Sequence, residues 1–395
     1  MMACSAAPTQ RGFTDVHGGT VRRFLSGAGT SSTSRGAVFV TDHGLSSCTW
    51  TSVTDDMTGK VVSLSAREQG MRSLPEALPE IARLEDLAAL DLSFNLLDDL
   101  PADLGRLHRL TELRLDSNQF SRFPDAVLGL TGLQVLSLYR NGLSNVPSGL
   151  GGLREIRVLN LAGNRLSSVP AEIGALSRLH TLDLGHNELT DIPPSLGDVT
   201  GLSRYLYLSD NKITSVPDSL CRLGHLRYLN ITDNRLTALP ERFGDLASLR
   251  ELRLYHNRLT GLPRSIGALR ELREAHLMGN RLTGLPEEIG GLADLRELRL
   301  MDNRVTALPD TIGGLVRLTR LDLRNNELRA VPDAIGRLDR LTHLDLRNNR
   351  LHELPPTLAA LPRLEKLDLR WNPLALDPLP AWVSSLEQRG CVVLT

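Results

Sequence analysis

The sequence predicts an α/β solenoid, a curved stack of short coils with a parallel β-sheet on the concave side and short helices or turns on the convex side. Three observations carry that expectation. Asparagine recurs as a ruler: Asn95, Asn118, Asn141, Asn164, Asn187, Asn211, Asn234, Asn257, Asn280, Asn303, Asn326, Asn349 and Asn372, always 23 residues apart except for the 24 between Asn187 and Asn211. Aliphatic residues keep fixed places around each asparagine: eight, five and three before it, two and five after it. Aromatic residues make up only 4% of a chain that is 41% hydrophobic. That argues against dividing 395 residues into two or three ordinary compact cores.

One unit shows the logic. Leu249, Leu252, Leu254, Asn257, Leu259, Leu262, Pro263, Ile266, Gly267 and Leu269 fill the repeating slots. In Leu252-Arg253-Leu254 apolar and polar residues alternate, the period of a strand with one face buried. Pro and Gly then end the strand and turn the chain. A single unit cannot bury its leucines, so units must stack into one continuous core.

This frame resembles the leucine-rich repeat family in its 23-residue form, with the L-P-x-x-I-G-x-L second half of intracellular Ras-group-type and related bacterial repeat proteins. The resemblance covers about residues 59–395. It implies a horseshoe with its strands on the concave face. It also implies that the asparagines sit in the turns after the strands and hydrogen-bond backbone, a task suited to a side chain with both donor and acceptor.

The ends depart from the frame. Leu64, Ala66, Met71, Leu74 and Pro75 follow it with Gln69 in the asparagine place, so residues 59–86, with the extra Pro79, read as a degenerate first repeat and N-terminal cap. Regular repeats occupy 87–372. In the C-terminal cap, 373–395, Asn372-Pro373-Leu374 closes the last unit and Pro380 opens a short helix bearing Trp382, Val383 and Leu386. Gly390 ends that helix before a final strand at Cys391–Leu394. Residues 1–58 are rich in Ser, Thr, Gly and Ala, the composition of a flexible tail. Two other readings of this segment stand beside it: a true start at Met57, and a disordered export signal of a secreted effector that binds a host protein. In the 24-residue unit one residue is inserted before Tyr205-Leu206-Tyr207, either as a loop insertion or as a bulge.

Several functions are excluded or disfavoured. A net charge of −1 marks neither a nucleic-acid nor a membrane-surface binder. No apolar run approaches a membrane span or a signal-peptide core. Cys4, Cys48, Cys221 and Cys391 are scattered, without a metal or disulfide pattern and without the paired-cysteine caps of extracellular relatives. Phosphate-loop, metalloprotease, nucleophile-elbow and kinase signatures are missing, and neither flank leaves room for a catalytic domain. The expectation is a non-enzymatic cytoplasmic scaffold or adaptor with no cofactor and no metal. The family resemblance points to a protein partner such as a small GTPase or signalling enzyme.

The polar slots six, four, two and one before each asparagine face out from the sheet. All five tyrosines fall there: Tyr139, Tyr205, Tyr207, Tyr228 and Tyr255. Met278 and Met301 continue the column of Tyr255, and His256, His276, Arg253 and Arg299 lie beside it. Tyrosine is stiff, amphipathic and common at interface hot spots, so this stripe is the candidate partner-binding surface. Farther along, Asp322/Arg324, Asp345/Arg347 and Asp368/Arg370 repeat like charges on adjacent strands. Cross-pairing between the two columns would relieve the repulsion, giving a structural ladder. Trp371 either extends the surface or shields the C-terminal edge.

Overall fold

A computed structural model describes residues 51–54, 58, 60–74, 84–374 and 380–395. Sixteen strands form one sheet in sequence order. They open with β1 (Thr51–Thr54), β2 (Val61–Ser65), β3 (Ala89–Asp91), β4 (Glu112–Arg114), β5 (Val135–Ser137) and β6 (Val158–Asn160). The central strands are β7 (Thr181–Asp183), β8 (Tyr205–Tyr207), β9 (Tyr228–Asn230), β10 (Glu251–Arg253), β11 (Glu274–His276) and β12 (Glu297–Arg299). The series closes with β13 (Arg320–Asp322), β14 (His343–Asp345), β15 (Lys366–Asp368) and β16 (Val392–Leu394). From β2 onward every neighbouring pair is parallel.

The coils share one plan, shortened at Phe243–Asp245, where the 3-10 helix has three residues. The middle residue of the strand points inward, as Leu252 does at 1% exposure. The residue before the asparagine then takes a left-handed conformation, such as His256 at φ 53°, and reverses the chain. Pro263, extended at φ −67° and ψ 152°, leads into the 3-10 helix Arg264–Ala268. Proline suits that place because it has no N–H to satisfy, while its carbonyl accepts from Ile266 N–H at 3.0 Å. Five residues of 3-10 helix fit the allotted length on the convex side. Gly267 follows from the close stacking there. A Cβ on Gly267 would stand 2.1 Å from the Glu288 carbonyl oxygen of the next coil.

The asparagines join the coils. Asn257 Oδ1 accepts from Leu236 N–H at 3.0 Å in the preceding coil. Its Nδ2 donates to Ile231 O at 2.8 Å in that coil and to Leu254 O at 3.1 Å in its own. All thirteen ladder asparagines accept from and donate to backbone of the preceding coil.

The ends are closed differently. The tail expected through residue 58 contains an ordered element: β1 pairs antiparallel with β2 and satisfies the edge that β2 would otherwise present. Residues 1–50 and 55–57 of the tail reading, Met57 among them, and Pro75 and Pro79 of the cap reading lie outside the described residues. At the other end α1 (Ala381–Gln388) buries Val383 and Leu386 over the last coil. Gly390 follows at φ +90°, and β16 then completes the sheet. The extra residue of the 24-residue unit lies before Arg204, and Thr181↔Tyr205 pairing runs in regular register, so it is a loop insertion and not a bulge. Cys221 and Cys391 are free and buried, whereas Cys4 and Cys48 lie outside the described residues.

Candidate partner-binding face

Parallel pairing of β8 with β9 sets Tyr205 opposite Tyr228. The insertion leaves Tyr207 on the same face as Tyr205, two residues along the strand. Three rings therefore meet. Tyr205 and Tyr207 stack at 5.9 Å between centroids with 14° between planes. Tyr228 lies tilted at 5.6 Å from Tyr205 and 5.0 Å from Tyr207. On the next strand the Arg253 guanidinium sits 5.6 Å from the Tyr228 ring centre, a cation–π contact, and Nε donates to Glu251 at 2.6 Å. Burial, reinforced by neighbouring phenols and carboxylates, pushes the Tyr207 hydroxyl pKa well up. Burial also raises Tyr228, against the pull of Arg253. Both phenols stay neutral donors at any physiological pH. The result is a partly exposed aromatic platform with one fixed cation at its border.

The other predicted contacts are placed unequally. Tyr255 lies half-buried on the coil beyond Tyr228, edge-on to His256 at 5.1 Å. Tyr139 stands apart, three strands before Tyr205, under its own Arg140 at 5.1 Å. His256 is exposed and pairs through Nδ1 with Asp233 at 2.8 Å. His276 is a correction, because only 7% of it is exposed. It packs into the sheet with Nε2 3.2 Å from Glu274 and offers little surface to a partner. Met278 and Met301 are half-buried, and Arg324 points its guanidinium at the Met301 sulfur. Arg299 is tied to Glu297.

Among the described residues, one group has the chemistry to ligate a cation: Glu251, Glu274 and His276, with ligand atoms within 4.8 Å of one another. Register explains it, since Glu251 pairs with Glu274 and Arg253 with His276. Arg253 already neutralises Glu251 in that group. In the sequence the signal for this set is the column six before each asparagine, which Glu251 and Glu274 share.

The C-terminal charge columns cross-pair. Arg347 bridges its own Asp345 at 2.7 Å and Asp368 of the next strand at 3.2 Å, and Arg370 holds Asp368 at 2.7 Å. Burial alone would raise the Asp368 carboxyl, but the Arg370 hydrogen bond and the Arg347 charge outweigh it and hold the pKa below the usual range. Asp322, whose Arg324 contact is a long 3.7 Å, is instead pushed up by burial. Trp371 is 70% exposed beside Arg370 and so is surface, not a shield.

Family models agree with this geometry. A leucine-rich repeat region matches residues 204–308, a leucine rich repeat matches 317–374, and a two-copy repeat model matches 154–197. A leucine-rich repeat protein of Leptospira interrogans has 34% identity and a TM-score of 0.74, with 83% of this chain and 82% of that one covered. The chain belongs to the leucine-rich repeat family. An internalin of Listeria monocytogenes shares the fold at 21% identity and TM-score 0.63, covering 84% of this repeat protein and 86% of the internalin. The Arabidopsis receptor kinase HAESA, solved with the peptide hormone IDA and a co-receptor, is 27% identical at TM-score 0.59, with 82% and 64% covered. No curated protein matches the chain. Leucine-rich repeats are commonly protein-interaction modules, and no described helix is long and apolar enough to cross a membrane.

Proposed function

We propose that this leucine-rich repeat protein is a non-enzymatic scaffold or adaptor that holds a partner protein against its concave sheet. The observation that carries the reading is the three-ring cluster of Tyr205, Tyr207 and Tyr228 with Arg253 at its edge. Stiff aromatic rings already packed against one another lose little freedom when a partner covers them. The flanking Glu251, Arg253 and Arg299 would supply orientation more than affinity. The structural likeness to a receptor solved with a peptide hormone supports a protein or peptide ligand. A cytoplasmic small GTPase or signalling enzyme is the partner class that the sequence resemblance favours.

Paired affinity capture tests this. Wild type and a Tyr205→Ala/Tyr207→Ala/Tyr228→Ala variant, matched by circular dichroism, are used as baits. The proposal expects a protein held by wild type and weakened about thirtyfold or more by the variant, the scale of a single strong hot spot. Equal capture of every protein by both baits would refute the tyrosine surface.

A further inference from the structure

Both ends of the strands carry arginine over the stretch that holds the tyrosine cluster. The residue immediately before the strand reads Arg157, His180, Arg204, Arg227, Arg250, Arg273 and Arg296 on seven successive coils, β6 to β12. Backbone bonds stack them directly. Arg250 N–H donates to Arg227 O, Arg273 N–H to Arg250 O and Arg296 N–H to Arg273 O, each at 2.8 Å. Past the other end of the strands, the residue after the ladder asparagine reads Lys212, Arg235, Arg258, Arg281 and Arg304. The last four are exposed.

Apart from Arg204, which is engaged within the fold, few of these charges are answered among the described residues. Arg250 pairs with Glu271 at 3.2 Å and Lys212 with Glu188 at 2.8 Å. Arg227, Arg273 and Arg296 on one border, and Arg235, Arg258, Arg281 and Arg304 on the other, hold no ion pair among the described residues. Arg273 Nε is buried without a hydrogen-bond partner. His180 senses the crowding: burial first, then the Arg204 and Arg157 charges, lower its pKa. Neighbouring members sit only about 4.8 Å apart, the spacing of adjacent strands. The net charge of −1 makes this a segregation of charge and not an excess.

The floor between the borders carries carboxylates, of which Glu251 and Glu297 are held by Arg253 and Arg299. Glu251, Glu274 and Glu297 lie in register, and Asp210, Asp233 and Asp302 occupy the turn column. A uniformly anionic polymer lying across the sheet would meet these carboxylates. A protein surface can confine its acids to the margins.

We propose that the two arginine borders are docking rails for an acidic protein segment, whose carboxylates align along the strand ends beside the tyrosine platform. The inference rests on the concave face being a protein-binding surface, and it names the charge of what binds there.

The test uses the full chain and a fluorescent dodecapeptide alternating glutamate and serine. In extended form that peptide places all its carboxylates on one edge. Binding is measured by anisotropy at low and at physiological ionic strength, with a thymidine dodecanucleotide as comparison. The peptide should bind wild type and weaken with salt. One variant carries Arg227→Gln, Arg273→Gln and Arg296→Gln; a second carries Arg235→Gln, Arg258→Gln, Arg281→Gln and Arg304→Gln. Each should lose affinity, and the combined variant should lose about tenfold or more. The matching Arg→Lys set should restore binding. Paired capture with the tyrosine-to-alanine triple variant reads the platform independently of the peptide titration, so failure of the platform and failure of the rails give different results. Absent binding at low salt, equal binding by the glutamine variants, or tighter binding of the oligonucleotide would each overturn the proposal.

Discussion

At the scale of single residues, two positions per repeat decide whether coils can stack. Asn257 satisfies three backbone groups at once, one accepted and two donated. Leucine is close in volume but leaves those groups buried and unpaired. Asn257→Leu should therefore destabilise the protein by about 1–3 kcal/mol, read as a lowered urea midpoint. Gly267 is decided by space. Alanine is the better helix former by about 1 kcal/mol in an exposed helix, yet its Cβ would stand 2.1 Å from the Glu288 carbonyl oxygen. Gly267→Ala should lower the melting temperature, whereas Gly261→Ala, where no heavy atom lies within 4 Å, should not. A rise at Gly267 would mean that the convex layer yields. The asparagine's role was legible from the period and the family resemblance, whereas the glycine's place was marked but read as a turn residue, and the structure sets Gly267 inside a 3-10 helix against the next coil. The burial of His276 was not legible, because its slot is the same outward slot that leaves Arg253 and Arg299 half-exposed. Its fate depends on the side chains of adjacent strands.

At the scale of elements, the strands could be placed to within a residue because each is fixed by two leucines and an asparagine. The strand β1 escaped notice because Thr51–Thr54 belongs to no repeat and is defined by backbone pairing with β2. Composition alone made it tail. The C-terminal strands carry a pH signature. Asp368 is held below the ordinary carboxyl range by Arg370 and Arg347, against burial, so folding favours its ionised form. That contribution is complete above the unfolded carboxyl value of about 3.9 and is lost as pH falls through the folded value. Asp322, raised by burial, runs the other way and relaxes on protonation. The urea midpoint should therefore fall between neutral pH and about pH 3, and Asp368→Asn should flatten that fall while Asp322→Asn should not. An unchanged slope in Asp368→Asn would remove the ladder from the acid response of the cap.

At the scale of the whole molecule, a quasi-one-dimensional stack spends its leucines on the core and frees both strand ends and the concave floor for display. One repeat period thus writes several surface columns at once. The tyrosines stood out in the sequence because all five fell into one class of slot. The arginine borders went unread because they lie outside that class, immediately before the strand and after the asparagine, although the same ruler indexes them. The central claim is that partner binding belongs to the concave face. The most direct test places a photo-reactive phenylalanine analogue at Tyr207 on the sheet and, separately, at Thr311 in the 3-10 helix Asp310–Gly314. Irradiation in lysate should yield a discrete adduct from the Tyr207 position alone. The same adduct from Thr311, with none from Tyr207, would place the partner on the convex side and contradict the claim.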